Sequence, residues 1–341
     1  MSRVSKRDHI LVGLDIGTTK ICAIVAEVPE EGPLNIIGVG SCPSRGLRKG
    51  VVVNIESTVE SIKKAVEEAE LMAAVQINSV YTGIAGSHIS GENLKGVVAL
   101  KKQEVTRDDI SRAVESARTL AVIPHERRIL HVLPREFMVD DQEGVREPLG
   151  MSGNRLEVNV HVITGAVTSA QNIIKSVNRA GLDVVDIILQ PLASSEAVLS
   201  AEERELGVAM VDLGGGTTDL AIFLDGSIRH TAVLPIGGQN LTKDLAIGLL
   251  TSQTDAEKIK VQHGIARTEL VHGHQMVEVP SVGDRPPRQF TRRDIAEILE
   301  PRVEEMFDLV KREIVRAGYE GMLGAGVVIT GGTSLLEGMP D

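Results

Sequence analysis

An aspartate, an aliphatic residue, a glycine and a pair of threonines occur twice in this chain, with the two aspartates 197 residues apart. The first copy is Asp15-Ile16-Gly17-Thr18-Thr19. The second runs from Asp212-Leu213-Gly214 to Thr217-Thr218. Each lies between two apolar runs and reads as strand, tight glycine turn, strand. Each also opens a three-strand meander. The first uses residues 9–14, 21–28 and 34–41; in the second, residues 228–234 complete the set. A repeat of this spacing is a duplicated domain rather than a solenoid. The segments that follow agree. Helix 57–74, with Ser57 and Glu60 as a capping box, precedes a strand and glycines at 80–86. A late helix starts at Thr291-x-x-Asp294, and Pro301 is expected to kink or split it. It precedes a strand and glycine turn at 327–339.

Two blocks interrupt the duplicated pattern. Residues 86–162 read as an inserted subdomain, with a helix at 106–120 and strands near 129–133, 137–140 and 156–162. After it come a helix at 168–180 ended by Gly181, a strand at 183–189 and a helix at 192–200. The second block is 235–290.

The glycines carry the chemistry. Gly214, Gly215 and Gly216 cost more backbone entropy than a hairpin turn requires. They make sense where something approaches the backbone closely, and a phosphate held by successive N–H groups is the usual occupant. Threonine hydroxyls add donors. A carboxylate beside a phosphate needs a bridging cation, and Mg²⁺ held partly through water meets that need. An ordinary glycine-rich hairpin would explain one such turn but not a matched pair. Asp15 and Asp212 are therefore expected to face each other across a cleft, with a phosphate chain and Mg²⁺ between them. Lys20 either adds charge to that phosphate chain or is a solvated strand end. Gly331-Gly332-Thr333 either admits a flat ring or ribose or is a tight strand-to-helix turn. Residues 256–260 read as a solvated helix face. His272-Gly273-His274 reads as a polar hairpin tip between 269–271 and 276–279 rather than a metal site.

Composition removes several classes. The 341 residues are 42% apolar and 24% charged, ample for two domains. A net charge of −11 argues against a broad nucleic-acid surface. The chain has no Trp, and aromatics make up only 2%, so stacking sites for sugars or bases are scarce. Cys22 and Cys42 lie in apolar stretches and read as reduced core thiols, which fits a reducing cytoplasm. The basic start, Arg3 to Arg7, reads as a flexible tail with no apolar run behind it, so no signal peptide is expected. No stretch has the length of a membrane span. P-loop, dinucleotide, zinc and nucleophile-elbow motifs are missing.

These residues resemble the actin/heat-shock-70/sugar-kinase superfamily. LVGLDIGTTK is similar to its first phosphate loop, MVDLGGGTTDLAIF to its second, VVITGGTSLLEGM to its adenosine motif and LQPLASSEAVL to its connecting helix. Within that superfamily the chain resembles the FtsA family of bacterial cell-division proteins, through SRGLRKGVVVNIE, VYTGIAGSHISG, the AEKIKVQHG segment and the place of the inserted block. The resemblance implies a duplicated, actin-like (ribonuclease H-like) ATPase fold of class α/β, with two five-stranded halves around a nucleotide cleft. Residues 1–85 and 163–190 would form the first domain and 86–162 the inserted subdomain. Residues 191–234 and 291–341 would form the second domain, with 235–290 as its subdomain. Asp15, Gly17, Thr18, Thr19, Lys20, Asp212, Gly214, Gly215, Gly216, Thr217 and Thr218 would surround the phosphates of ATP. Asp15 and Asp212 would hold Mg²⁺ through water. Glu257 and Lys260 would meet ribose and adenine, against the solvated-face reading. Gly331, Gly332 and Thr333 would lie by the nucleoside, and Gln190 would orient an attacking water in an ATPase that is weak at most.

Proteins of this kind are assembly proteins. The resemblance implies binding of the FtsZ C-terminal peptide near 234–290, self-association into filaments and contacts with other division proteins through the inserted subdomain. It also implies peripheral attachment to the cytoplasmic side of the inner membrane at the septum. That attachment would use a C-terminal amphipathic helix that these 341 residues are not expected to reach. The competing class is a small-molecule kinase or phosphatase on the same fold. It would need a carboxylate base and an acceptor pocket, and no motif near Gln190 supplies either.

Overall fold

In strand Ile10–Ile16, Val12, Leu14 and Ile16 are buried, while Leu11, Gly13 and Asp15 point the other way. That period of two fixes one face against a core. The computed structural model describes residues 10–283 and 285–340. His9, the basic start from Arg3 to Arg7 and Asp284 lie outside the described residues. Ile10–Ile16 pairs antiparallel with Lys20–Glu27, which pairs antiparallel with Asn35–Pro43. On its other side Ile10–Ile16 runs parallel to Ser79–Ile84, and that strand runs parallel to Asp183–Leu189. The result is a five-stranded sheet in the order 183–189, 79–84, 10–16, 20–27, 35–43.

Helix Ile55–Ala73 covers one face, burying Val59, Ile62, Ala65, Val66 and Ala69. It starts two residues earlier than the Ser57–Glu60 pattern predicts, because the Asn54 side chain accepts from the Ser57 N–H at 3.0 Å and caps it. Gly40 lets this helix approach, since a Cβ there would overlap the Ala65 carbonyl. Helix Val167–Arg179 joins the same core through Ala170, Ile173 and Val177.

The second half repeats the meander. Val208–Leu213, Thr218–Leu224 and Ser227–Leu234 are antiparallel, and Val327–Thr330 runs parallel to Val208–Leu213. This sheet has four strands where five were expected: among the described residues nothing takes the place that Asp183–Leu189 holds in the first. Helix Arg292–Arg316 packs against it and runs for 25 residues through Pro301 without dividing. Its Thr291–Asp294 capping box is present as predicted. Pro301 sits on the exposed face, so the carbonyl it leaves unpaired reaches water. Leu299, Val303, Met306 and Val310 on either side enter one core and hold the helix together.

The block after residue 86 has a sheet and a core of its own. Its antiparallel sheet has the order Ser90–Ala99, Arg155–Ala166, Arg127–Val139, Gln142–Val145. Helix Arg107–Leu120 packs Ala113 and Ala117 onto Leu156, Val158 and Val160. The segments predicted at 129–133 and 137–140 are one strand that passes through Pro134, beside a register shift at Asn159/Val160. A bulge is where a strand tolerates proline. In the block from 235 to 290, helices Gly238–Gly248 and Gln253–His263 precede the strand pair Met276–Val279 and Arg288–Thr291. The predicted hairpin around His272-Gly273-His274 does not form. Thr268–Leu270 is a single 3-10 turn, and Met276–Val279 pairs with the later strand instead. Cys22 and Cys42 are both free, as expected; each is half-buried, Cys42 packing against the first-half core and Cys22 lining the cleft between the halves.

Candidate functional site

The two glycine turns meet at the floor of a cleft between the halves. The cavity is about 930 Å³ and is lined by both turns, helix 190–198, Glu257, Lys260 and residues 331–333. Strand register fixes how the turns correspond. Ile16 pairs with Ile21 and Leu213 with Thr218, so each loop has four residues, 17–20 and 214–217. Gly17 and Gly214 then occupy the same place, and a Cβ on either would meet the carbonyl three residues on, at 2.8 and 2.9 Å. Matching Thr18-Thr19 with Thr217-Thr218, as the sequence invites, is therefore out of step. Thr18 and Thr19 correspond to Gly215 and Gly216.

That correspondence explains the glycines. A Cβ on Gly215 would overlap the Thr19 side chain, and one on Gly216 would come within 2.5 Å of Thr18 Oγ1. The threonines of one turn fill the space that the glycines of the other leave open. Thr18 Oγ1 in turn accepts from the Gly50 N–H at 2.9 Å. Thr218 departs from expectation. It takes the core-facing place of Ile21, is fully buried and donates to the Ile236 carbonyl at 2.9 Å, so it does not line the cleft. Lys20 and Thr217 do line it.

One helix holds both aspartates. Gln190 and Ser194 are one turn apart on helix Gln190–Val198 and share a face. Gln190 Nε2 donates to Asp15 Oδ1 at 2.5 Å, and Ser194 Oγ donates to Asp212 Oδ2 at 2.7 Å. Gly83 makes room for Gln190, because a Cβ there would lie 2.8 Å from Cγ. Ser194 was missed in the sequence; the i, i+4 spacing from Gln190 was the available signal.

Asp219 was missed too. It stands in the register position of Cys22, opposite Asp212, and its Oδ1 is buried with no partner. The only side-chain hydrogen bond it makes among the described residues comes from Thr217 at 3.4 Å. Burial, then the charge of Asp212, pushes its carboxyl well above the usual carboxylate range. Asp15 opens onto the cleft deep between the halves. Desolvation and the nearby Asp212 charge raise it to about 6, against the opposing pull of Lys20 and Gln190. Burial raises Asp212 as well, while the Ser194 hydrogen bond lowers it.

On the opposite wall of the cleft, Gly331 has φ +89°, a conformation that favours glycine, and its missing Cβ leaves room for Asp212 Oδ1. Thr333 donates to the Gly214 carbonyl at 3.0 Å, tying this turn to the second phosphate-loop candidate. Gly332 lines the same wall. Lys260 Nζ donates to the Gly238 carbonyl, Thr242 Oγ1 and Glu257 Oε2 at 3.1, 2.9 and 2.8 Å. Glu257 also accepts from Thr242. Arg292, absent from the sequence expectation, lines this end.

The carboxylates make stability depend on pH. The folded protein holds a proton on Asp15 that the unfolded chain releases near pH 4. Stability of the ligand-free protein should therefore fall as pH rises from about 4 through 6, by about 1 kcal/mol once water in the cleft is allowed for. Urea unfolding at pH 4.5 and 7.5 reads this out. The difference should shrink in Asp15→Asn, and an unchanged difference would contradict the assignment.

The chain is similar to known proteins in sequence and in fold. Residues 86–164 match a family model described as the SHS2 domain inserted in FTSA, and residues 209–341 match one described as Cell division protein FtsA. The Cell division protein FtsA of Pseudomonas aeruginosa is 54% identical over 329 residues, covering 96% of this chain and 79% of the relative. That of Escherichia coli is 47% identical over 337 residues, covering 97% and 80%. That of Bacillus subtilis is 41% identical over 334 residues, covering 97% and 75%. Among solved structures, the PilM-PilN type IV pilus biogenesis complex superposes with a TM-score of 0.66 at 17% identity, covering 96% of this chain and 83% of that one. MreB5 of Spiroplasma citri bound to ADP gives 0.55 at 14%, covering 96% and 86%. At such identities the structural likeness speaks for fold alone.

Proposed function

This chain belongs to the FtsA family of cell division proteins, and from that premise we propose that it binds Mg²⁺–ATP in the cleft and serves as a nucleotide-responsive adaptor of the division ring. It is a cell-division protein with an actin-like fold and the inserted SHS2 subdomain. The observation that carries the nucleotide proposal is the convergence of Asp15 and Asp212 on one cleft floor, each held by the same helix.

The donor set fits a nucleotide-borne Mg²⁺. Among the described residues no group of three or more His, Cys, Asp or Glu could hold a metal alone. Two carboxylates acting through water, with the remaining oxygens from phosphate, match the reluctance of Mg²⁺ to dehydrate. The unpartnered Oδ1 of Asp219 behind them would be satisfied by a water of that shell. When bound, the ion would neutralise phosphate and carboxylate charge together. Backbone N–H groups of Thr18 and Thr19 and of Gly215 to Thr217 would cradle the phosphates, those of Gly17 and Gly214 being held by the Lys20 and Asp212 carbonyls, with the hydroxyls of Thr18, Thr19 and Thr217 and the charge of Lys20 beside them. Glu257 and Lys260 would meet the ribose and base, and Gly331, Gly332 and Thr333 the nucleoside face. Gln190, already donating to Asp15, would orient a water where hydrolysis occurs; a slow ATPase suits a protein that senses nucleotide more than it consumes it.

The partner we assign is the C-terminal peptide of FtsZ, docking on the subdomain built from residues 235–290. Its Ile247 and Leu250 are exposed at the end of helix Gly238–Gly248, and Arg288 donates to the Leu249 and Leu250 carbonyls beside them. An apolar pair next to a cation suits a short peptide of mixed apolar and acidic character. Self-association and contacts of the inserted subdomain with later division proteins complete the adaptor role, at the cytoplasmic face of the membrane. No described helix is long and apolar enough to cross a membrane. A labelled FtsZ tail peptide should bind with a Kd in the micromolar range or weaker, and Ile247→Glu should weaken it about tenfold. Binding no better than that of a scrambled peptide would overturn the partner.

A further inference from the structure

The inserted subdomain leaves the chain from the first half, between residues 84 and 167, yet its sheet rests on the second. Asn93 Nδ2 donates to the Arg229 carbonyl at 3.1 Å, which fixes the Asn93 amide with Oδ1 as acceptor. His161 Nδ1 lies 2.8 Å from that Oδ1 and so carries the proton. His161 Nε2 is then an acceptor, and Thr231 Oγ1, 3.0 Å away, donates to it. The chain of donors and acceptors closes without an unpaired atom. His161 and Thr231 are both buried. Gly91 leaves the room, since a Cβ there would come within 2.6 Å of the imidazole and 2.7 Å of Thr231 Oγ1.

Independent ties flank this one. Ser227 Oγ donates to the Arg135 carbonyl at 2.8 Å, Arg229 lies 3.5 Å from Glu136, and Arg146 pairs with Glu205 at 2.6 and 2.8 Å. Leu133 packs against the core of the first half and also against the second-half cluster of Leu199, Met210 and Phe223. The subdomain also touches the connection between the halves. His131 Nε2 accepts from the Leu189 N–H at 3.0 Å. The next residue is Gln190, whose amide holds Asp15.

We propose that the inserted subdomain is a brace across the two halves that limits how far the cleft opens, and so sets how fast nucleotide leaves. Opening the cleft moves strand Ser227–Leu234 relative to strand Asp183–Leu189, and the subdomain holds both. A partner bound to the subdomain would thereby change nucleotide exchange without touching the cleft. The brace rests on the nucleotide reading of the site, but its mechanical part does not.

Two variants test it in the full chain. Thr231→Val keeps shape and removes the donor to His161; Ser227→Ala removes a separate tie. Arg118→Ala, an exposed residue on the subdomain's helix, is the control. The first readout needs no nucleotide: spin labels at Lys64→Cys and Lys258→Cys, with Cys22 and Cys42 replaced by serine, report the distance between the halves. Both joint variants should broaden that distribution to longer values, and the control should not. The second readout is dissociation of a fluorescent ATP analogue, expected about tenfold faster in Thr231→Val, the factor that ~1.4 kcal/mol represents. Unchanged distances in both variants would overturn the brace. Longer distances with unchanged dissociation would overturn its control of exchange. Absence of analogue binding in the wild type would count against the nucleotide site, while the distances still decide the brace.

Discussion

Asp212→Asn should remove the stabilisation that Mg²⁺–ATP gives the wild-type protein and leave the ligand-free protein at least as stable as before. The substitution keeps shape and an oxygen for Ser194 to donate to. It removes one of the two charges on which a phosphate-borne cation depends. At a hundredfold excess over Kd, nucleotide should add about 2.7 kcal/mol to the wild type, a rise of about 5 °C in Tm; the variant should show none of it. The gain in ligand-free stability has a separate cause. The charge of Asp212 raises the carboxyl groups of both Asp15 and Asp219, so its loss relieves two strained neighbours. Ordinary damage to the fold would lower both quantities, so opposite changes in the two are the signature. A variant that still gains stability from Mg²⁺–ATP would mean that the phosphates are misplaced.

Gly215→Val should also abolish nucleotide stabilisation, through sterics rather than charge. The new side chain would occupy the space of Thr19 and push the two turns apart. Each half keeps a core of its own on the far face of its sheet from this contact, so secondary structure by circular dichroism should largely persist. The misfit at the turn should cost about 1–3 kcal/mol. Thr19→Gly in the same chain vacates that space and should restore part of the lost stability. A double variant no more stable than Gly215→Val would contradict the complementary packing of the turns.

The duplication was legible because both copies carry the same local demand: a strand, a tight turn and a carboxylate. Their true correspondence was not. In a sequence a gap of two residues costs nothing, and Thr-Thr invites alignment with Thr-Thr. In the sheet, the pairing of Ile16 with Ile21 and of Leu213 with Thr218 fixes both loops at four residues. Thr218 therefore falls on the core side, and Asp219 takes the position of Cys22. The split expected at Pro301 does not occur for a related reason. Its local penalty was visible, but the shared core on both sides of it, which holds the helix in one piece, was not. The His161 joint had no sequence signal, since its partners Asn93 and Thr231 lie 68 and 70 residues away. The Asp15, Asp212 and Gly331 elements were legible because glycine and aspartate at strand ends report on local backbone geometry, which a sequence does encode.

The proposed site holds one nucleotide between the two matched turns, and isothermal titration of Mg²⁺–ATP into the full chain measures its occupancy. We expect a single site per chain, weakened when EDTA removes the metal and lost in both Asp15→Asn and Asp212→Asn. Absence of heat at millimolar nucleotide, or binding that survives both substitutions, would contradict it.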